Sequence, residues 1–462
     1  MRKKSKDQKK RDIYALEQIN LNAAGADIGA SEIYVAVPPD RDEESVRSFL
    51  TFTADLYQLA DWLANCGIET IAMESTGVYW IPLYEILESR GFEVCLVNAQ
   101  HLKNVRGRKS DVMDCQWIQQ LHTYGLLSAS FRPPEDICAI RSLVRHRDML
   151  IRYRSAHIQH MQKALHLMNI QLTIVLSDIT GVTGQKIIRA IVAGERNPKV
   201  LASFRHNKCS HSETDIEKSL EGNYKFEHVF ALKQALELYD FYDQLLQTCD
   251  AELEKLYQAF EPVEDPGTQA PSPRRGKRRK NEPYFDLSQS LYRITGVDLV
   301  RIDGLDAVSV QKIISEVGLD MNKWPTVKHF TSWLRLSPNN LVTGGKTKRR
   351  GTQPTQNRAN AAFRMGALSL ARSNSALGGF YRRMNARKGA PKAITATAHK
   401  LARIFYCMLK YRREYCDPGF DYYERQYQER VIRNLRRKAA QLGYSLEPKS
   451  TTQSLPTTPV PL

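Results

Sequence analysis

The amino-acid sequence predicts an α/β domain near the N-terminus, a long helical middle with a coiled coil, and a mainly α-helical C-terminal domain. Strand and helix patterns alternate through residues 21–130, and apolar residues recur in steps of three and four in residues 131–261. A basic, proline-containing linker at 262–284 precedes helix-like segments that extend from 285 to 420. With 462 residues, the chain is long enough for two or three domains with separate cores.

The α/β domain has predicted strands and helices in the order β-β-α-β-α-β-α. Residues 26–37 contain two strands around a tight turn, and residues 46–67 are predicted as one amphipathic helix ended by Gly67. The later elements are strand ETIAME, helix IPLYEILESRG, strand FEVCLVNA and helix DVMDCQWIQQLHTYG. This order is typical of a mixed sheet covered by helices.

The middle region has two long helical patterns separated by a segment without clear periodicity. Residues 136–172 form the first, with arginines interleaved among apolar residues, and the second carries an apolar seam from Val229 to Phe260. This apolar seam could pack equally well against another helix of the same chain or against a second copy of the chain. Residues 173–225 are predicted to be irregular.

The C-terminal domain begins with a segment typical of a helix-hairpin-helix, which has Gly304 in its turn and Gly318 at its end. Backbone N–H groups at such a turn can hold phosphates. A clear helix follows Pro391, and residues 421–462 are predicted as a helical extension with a disordered tail.

The charge balance indicates a protein that binds a polyanion. The chain has 67 Lys and Arg against 50 Asp and Glu, a net charge of +17 and a pI near 9.4. Residues 1–20 are predicted as a disordered basic arm. The linker concentrates six cations, which favours a phosphate-contacting tether over a solvated spacer. They are Arg274, Arg275, Lys277, Arg278, Arg279 and Lys280.

The sequence has no apolar run of the length that a membrane span requires, and no apolar run follows its charged N-terminus as in a signal peptide. The eight cysteines form no C-x-x-C pair, which favours reduced thiols. We therefore expect a protein of the bacterial cytoplasm with no membrane partner.

Four carboxylates are the candidate metal ligands: Asp27, Glu74, Asp111 and Asp114. Asp27 and Glu74 lie at predicted strands among apolar residues, where a carboxylate must be paired or must bind a metal. Asp111 and Asp114 are three residues apart on a predicted helix and so share one face. Hard oxygen ligands of this kind suit Mg²⁺, with Mn²⁺ as an alternative. In a basic chain, a nucleic-acid phosphodiester is the expected substrate.

A second candidate site follows residue 337, where Thr343 precedes two glycines. Its hydroxyl could act as a covalent nucleophile, because surrounding cations can offset the charge that develops during attack. The alternative from the residues alone is a phosphate-binding loop without a nucleophile, and it is the simpler interpretation. The predicted nucleic-acid contacts of this region are Lys346, Lys348, Arg349, Arg350 and Arg358.

Several motifs together resemble the DEDD transposases of the insertion sequence 110 family. They are D-I-G-A at 27–30, E-S-T-G-V-Y-W at 74–80, K-S-D-x-x-D at 109–114, T-G-G-K at 343–346 and N-R-A at 357–359. The segment 371–409 is most similar to the group 1111 branch. The resemblance spans roughly residues 22–415.

The resemblance implies an RNase H-like (RuvC-like) N-terminal domain, a coiled-coil middle and a C-terminal transposase domain. It implies that the four acids hold magnesium and that a hydroxyl in the C-terminal domain forms a covalent protein–DNA intermediate. The implied partners are double-stranded DNA at the element ends and target, a guide RNA encoded by the element, and further copies of the chain in a dimer or tetramer.

This sequence departs from the family at the nucleophile, because Thr343 stands where the family has serine. Threonine carries the same hydroxyl, but its methyl group restricts χ1 and crowds an in-line attack. Ser337 and Thr347 are the alternative nucleophiles. Two other functions stay open: a RuvC-like nuclease or junction resolvase that needs no covalent intermediate, and a nucleic-acid-binding protein without catalysis.

Overall fold

The computed structural model describes residues 17–75, 77–98, 111–264, 269–272, 278–344, 346–349, 351–355, 357–419 and 422–447. The chain divides into two compact units, residues 1–132 and residues 133–462. None of the helices in these described ranges is long and apolar enough to cross a membrane.

A five-stranded mixed sheet forms the centre of the first unit. Its strands are β1 (Ala23–Ile28), β2 (Glu32–Ala36), β3 (Val46–Leu50), β4 (Thr70–Glu74) and β5 (Glu93–Val97). The order across the sheet is β3-β2-β1-β4-β5, with β1, β4 and β5 parallel and β2 antiparallel to both β1 and β3. This mixed sheet with its helices is consistent with the expected RNase H-like domain.

The prediction of a single helix over residues 46–67 is wrong in its first part. Residues Val46–Leu50 form the edge strand β3, and the helix α1 covers only Thr53–Asn65. The apolar spacing of this segment fits a strand as well as a helix, and pairing with β2 decides between them. Phe49 then packs on the core with its ring centroid 5.6 Å from that of Trp62.

Helices cover both faces of the sheet. Helices α1 and α2 (Trp80–Ser89) pack against one face of the sheet and enclose the main core between them and the sheet. The sheet contributes Ala24, Ala26, Ile71 and Met73 to this core. Helix α3 (Asp111–Thr123) lies on the other face, where Ile118 joins a small cluster with Ala72 and Val97. The sheet is therefore buried on both sides, as its small and apolar residues require.

Two long helices form an antiparallel hairpin in the second unit. Helix α4 (Glu135–Leu167) packs against α9 (Phe226–Ala259) along most of their lengths. The buried seam residues of α9 include Leu232, Leu236, Leu246 and Leu253. Of the two predicted partners for this seam, the structure shows the intramolecular one.

Most of the arginines interleaved along α4 are used to hold this unit together. Arg147 and Asp250 form an ion pair at 2.5 Å, and their side chains are 3% and 1% exposed. Arg145 makes a two-oxygen contact with Glu316 at 2.9 Å, and Arg154 pairs with Asp243. Arg147 and Arg154 are buried, so their role is structural, and Arg145, although exposed, also has a carboxylate partner within the chain.

The prediction that residues 173–225 are irregular is wrong. They contain four short helices, α5 (Leu172–Val175), α6 (Val182–Val192), α7 (Pro198–Ala202) and α8 (Glu213–Ser219). These helices pack on α4 and α9 around a buried core. Helix α8 starts at a capping box between Ser212 and Asp215. Segments this short show little periodicity, because tertiary packing rather than intrinsic propensity stabilises them.

The rest of the second unit is mainly α-helical. Its elements are α10 (Leu287–Thr295), a 3-10 turn at Leu299–Arg301, α11 (Ala307–Val317), a 3-10 turn at Met321–Lys323, α12 (Val327–Trp333), β6 (Leu341–Thr343), β7 (Lys346–Arg349), α13 (Arg358–Ser369), a 3-10 turn at Leu370–Arg372, α14 (Ala376–Lys388), α15 (Ala390–Tyr411) and α16 (Tyr422–Gln441). The predicted helix-hairpin-helix corresponds to α10, the turn at Gly304 and α11. A Cβ on Gly304 would lie 2.6 Å from the carbonyl oxygen of Gly366, so the turn packs directly on α13.

Candidate active site and nucleophile loop

Asp27 and Glu74 lie next to each other at the ends of two parallel strands. The register pairs Ala23 with Thr70 and Ala26 with Met73, and one residue further it aligns Asp27 with Glu74. Aligned residues of neighbouring strands point to the same face of a sheet. Both residues are half-buried. The two carboxylates are therefore carried on one face, at the carboxyl ends of β1 and β4.

Gly25 lets helix α3 approach that same face. A Cβ at this position would lie 2.2 Å from the backbone nitrogen of Gln119 and 2.6 Å from the carbonyl oxygen of Cys115. Residues 25 and 27 share a face because side chains alternate along a strand. Gly25 was not among the predicted site residues, although a glycine inside a strand pattern signals close backbone approach.

Asp27 and Asp114 both act electrostatically on Cys115, a buried residue of α3. Burial raises the pKa of the Cys115 thiol to about 12, and the negative charges of Asp27 and Asp114 contribute to the same shift. The thiol itself donates to the carbonyl oxygen of Val112 at 3.2 Å. Both carboxylates are thus close enough to act electrostatically on one buried sulfur atom.

The donor set fits a hard divalent cation by its chemistry, since every candidate ligand is a carboxylate. Asp111 is the first residue of α3, but its side chain lies outside what the structure describes. Among the side chains that are described, no three His, Cys, Asp or Glu come together in a way that could hold a metal ion. The convergence of all four acids on one metal site stays a prediction.

Thr343 is the last residue of β6, the first strand of a two-stranded β-ribbon. Strand β6 pairs antiparallel with β7, and Thr343 is aligned with Lys346 across a two-residue turn. Gly344 in this turn has φ of 58°, a left-handed conformation that two-residue hairpin turns demand and glycine adopts without strain. Thr343 is exposed. Thr343 therefore lies at the exposed tip of a hairpin.

The base of the hairpin is closed by two asparagines. The backbone N–H of Asn339 donates to the carbonyl oxygen of Gly351 at 2.8 Å, and Asn340 accepts from the N–H of Gly351 at 3.4 Å. Lys346 and Lys348 are exposed, and Lys346 shares the face of Thr343 because the two residues are aligned across the ribbon. The side chain of Arg349 and the whole of Arg350 lie outside the described residues.

The alternative nucleophiles differ in exposure. Ser337 is half-buried, and its hydroxyl donates to the Thr331 hydroxyl oxygen at 3.1 Å. The side chain of Thr347 lies outside the described residues. Of the hydroxyls that can be compared, Thr343 is the accessible one.

The remaining predicted nucleic-acid contacts have partners within the chain. Arg358 lies 3.5 Å from a carboxylate oxygen of Asp148. Lys280 contacts Asp178 at 2.8 Å, Arg279 lies 3.8 Å from Glu282, and Arg278 sits over the Tyr284 ring. The end of the linker is therefore attached to the helical unit. Arg274, Arg275 and Lys277 lie outside the described residues.

Comparison with known families agrees with this architecture. A transposase model for the DEDD type of the IS110 group matches residues 24–170, which include all four acids. A second model, described as transposase of the IS116/IS110/IS902 family, matches residues 298–382, which include Thr343. No curated protein is similar enough to the chain to count as a match. The chain therefore matches two transposase models of the IS110 group in separate segments, and these matches support a function in DNA transposition or recombination.

Proposed function

We propose that this protein is an RNA-guided DNA transposase that cuts and rejoins DNA with a magnesium-bound acid site and Thr343 as nucleophile. The observation that carries the proposal is the alignment of Asp27 and Glu74 on the sheet face against which α3 packs. The two transposase family matches support the class of reaction.

Asp27, Glu74, Asp111 and Asp114 would hold one or two Mg²⁺ ions. Bound there, the metal would polarise the scissile phosphate and stabilise the charge that develops on its oxygens. The protein's own contribution is the rigid placement of the carboxylates, because strand ends within a buried sheet cannot shift independently.

The hairpin tip would supply the nucleophile. The Thr343 Oγ would attack the phosphorus atom, its proton would pass to a base, and the P–O bond to the departing DNA strand would break. The departing oxygen would take up a proton and leave as a hydroxyl. Attack by the hydroxyl of another DNA strand would reverse these steps, free Thr343 and join the new strand. Lys346 and Lys348 would hold the flanking phosphates.

The acids belong to the first unit and Thr343 to the second. We propose that the two parts of the site come from different copies of the chain, which assemble as a dimer or tetramer on DNA and guide RNA. The family resemblance supports this assembly. An enzyme of this kind would be inactive until the correct nucleic acids are bound.

Incubation with element-end DNA, Mg²⁺ and copurified RNA would test the mechanism. Denaturing gels should show a protein–DNA adduct with the wild-type chain and with Thr343→Ser, but not with Thr343→Ala. Thr352→Ala, a threonine change just beyond the hairpin, is the matched control and should form the adduct. Free cut ends with Thr343→Ala would instead support the metal-dependent nuclease, and intact DNA in every sample would contradict both enzymes.

RNA guidance has its own test. RNA extracted from the purified protein should be dominated by a discrete small species, and removal of that RNA should abolish cleavage of the matching target. A heterogeneous mixture of cellular RNA, with cleavage unaffected by ribonuclease treatment, would contradict the guided mechanism.

A further inference from the structure

A group of cations lies together on helices α14, α15 and α16, mostly beyond the part of the chain matched by the family models. Burial, together with the positive charges of Arg403, Arg383 and Arg430, lowers the pKa of Lys400 to about 8. These four residues come from three helices, so folding brings like charges together at an electrostatic cost. A polyanionic ligand would remove that cost.

Aromatic rings make cation–π contacts with several of these positive groups. The Lys400 Nζ lies 4.0 Å from the ring centroid of Tyr423 and 4.6 Å from that of Phe380. Arg383 and Arg387 lie 5.2 and 5.1 Å from the ring of Tyr427. Cation–π contacts of this kind hold positive groups in place without neutralising them.

An open cavity of about 510 Å³ adjoins this group. We call it the tyrosine–cation cavity; its lining includes Lys400, Arg403, Cys407, Tyr411, Tyr415 and Tyr423. Its volume is within the range of about 300–1,000 Å³ that small ligands occupy. Tyr411 is 58% exposed, so its ring is open to a ligand. Glu414, which also lines the cavity, pairs with Arg301.

We propose that the tyrosine–cation cavity binds an unpaired stretch of nucleic acid, with a base against Tyr411 and adjacent phosphates on Lys400 and Arg403. The inference rests on the proposed function for the class of its ligand. A concave site lined by both rings and cations favours a single strand, because only unstacked bases can be splayed out onto aromatic side chains.

The outer part of α16 extends the positive surface away from the cavity. Arg433, Arg436, Arg437 and Lys438 are all exposed on this helix. A single strand that enters the cavity could continue along these residues through phosphate contacts. The cavity would then select single strands, whereas the cations along α16 would contact the phosphates of any nucleic acid.

Fluorescence anisotropy with labelled twelve-nucleotide oligouridine and with a twelve-base-pair DNA duplex tests the proposal on the full chain. Tyr411→Leu should weaken single-strand binding about 5- to 150-fold, the usual effect of losing one base–aromatic stack. Lys400→Met combined with Arg403→Gln should lower the slope of log affinity against log salt by about 1.4, since each lost phosphate contact on a single strand contributes about 0.7. Duplex binding should change much less.

Three controls keep the result interpretable. Tyr411→Phe retains the ring and should bind like the wild type, while Tyr57→Leu and Lys233→Gln change an exposed tyrosine and lysine elsewhere. Equal losses for single strand and duplex, or none for the single strand, would overturn the assignment of the cavity alone. A wild-type chain that binds neither oligonucleotide would contradict the proposed function as a whole.

Discussion

The sheet face that carries Asp27 and Glu74 and the hairpin that carries Thr343 are built in opposite ways. Asp27 and Glu74 lie at the ends of parallel strands, and the residues that precede them in these strands are fully buried. Gly25 lets helix α3 pack closely against the same sheet face. Thr343 lies at the tip of an exposed two-stranded ribbon whose base is closed by hydrogen bonds of Asn339 and Asn340 with Gly351. A rigid scaffold suits groups that must hold a metal at fixed distances, whereas an exposed tip suits a group that must meet DNA.

The largest effect that this contrast predicts is at the sheet. Asp27→Asn should reduce DNA cleavage at least about 100-fold, because even outer-shell partners of a metal contribute 10- to 100-fold. DNA binding through the hairpin lysines should persist. Gel-based cleavage rates measure the first quantity and anisotropy the second. Glu93→Gln, an exposed carboxylate at the opposite end of β5, is the matched control; equal losses in both variants would contradict a special role for Asp27.

Gly25→Ala tests the rigidity of the sheet face. The added methyl would meet backbone atoms of α3, so the helix must move, at a cost of about 1–3 kcal/mol in the free energy of unfolding. Denaturant titration of the full chain measures that change. Ala64→Ser, at an exposed position of α1, should alter stability by less than about 0.5 kcal/mol. If Gly25→Ala unfolds at the wild-type denaturant concentration, α3 does not depend on this close approach.

The two lysines of the hairpin should govern the salt dependence of DNA binding, whereas Thr343 at its tip takes part in the chemistry. Lys346→Gln with Lys348→Gln should lower the slope of log affinity for duplex DNA against log salt by about 1.8, since each phosphate contact contributes about 0.9. Anisotropy titrations at several salt concentrations give this slope. Lys233→Gln with Lys255→Gln removes the same charge from exposed positions of α9 and should leave it unchanged. An unchanged slope in the hairpin variant would mean that these lysines do not contact phosphate.

The smallest expected effect is at the turn. Gly344→Ala places a side chain at φ of 58° in otherwise open space, so the penalty is conformational and about 1–2 kcal/mol, confined to the hairpin. The free energy of global unfolding should be nearly unchanged. Adduct formation should slow, because the hairpin tip would adopt the conformation that presents Thr343 less often. A large loss of global stability would contradict the view that the hairpin is separate from the core.

The sequence was informative where periodicity and burial act together. The parallel strands at β1, β4 and β5 and the helix at Pro391 follow directly from apolar patterns, and the strand ends locate Asp27 and Glu74. The edge strand β3 was missed because its pattern also fits a helix. Its identity depends on pairing with β2, a contact that local sequence does not encode.

The helical unit shows the same limit in another form. The short helices between Leu172 and Ser219 are stabilised by packing against the α4–α9 hairpin. Because this packing is tertiary, no local sequence pattern predicts them. The arginines of α4 could not be assigned from sequence to structure or to phosphate binding, because their partners Asp243, Asp250 and Glu316 are distant along the chain. The hydroxyl at Thr343 was located from its glycines, whereas its role depends on an assembly that one chain does not contain.

Binding of Mn²⁺ reports on the four acids without requiring turnover. In an electron paramagnetic resonance titration with duplex DNA present, we expect one or two bound Mn²⁺ ions per chain. Binding should be lost in Asp27→Asn and retained in Glu93→Gln and Thr343→Ala. Wild-type Mn²⁺ binding in Asp27→Asn, or no binding by the wild-type chain, would contradict a metal site on this sheet face.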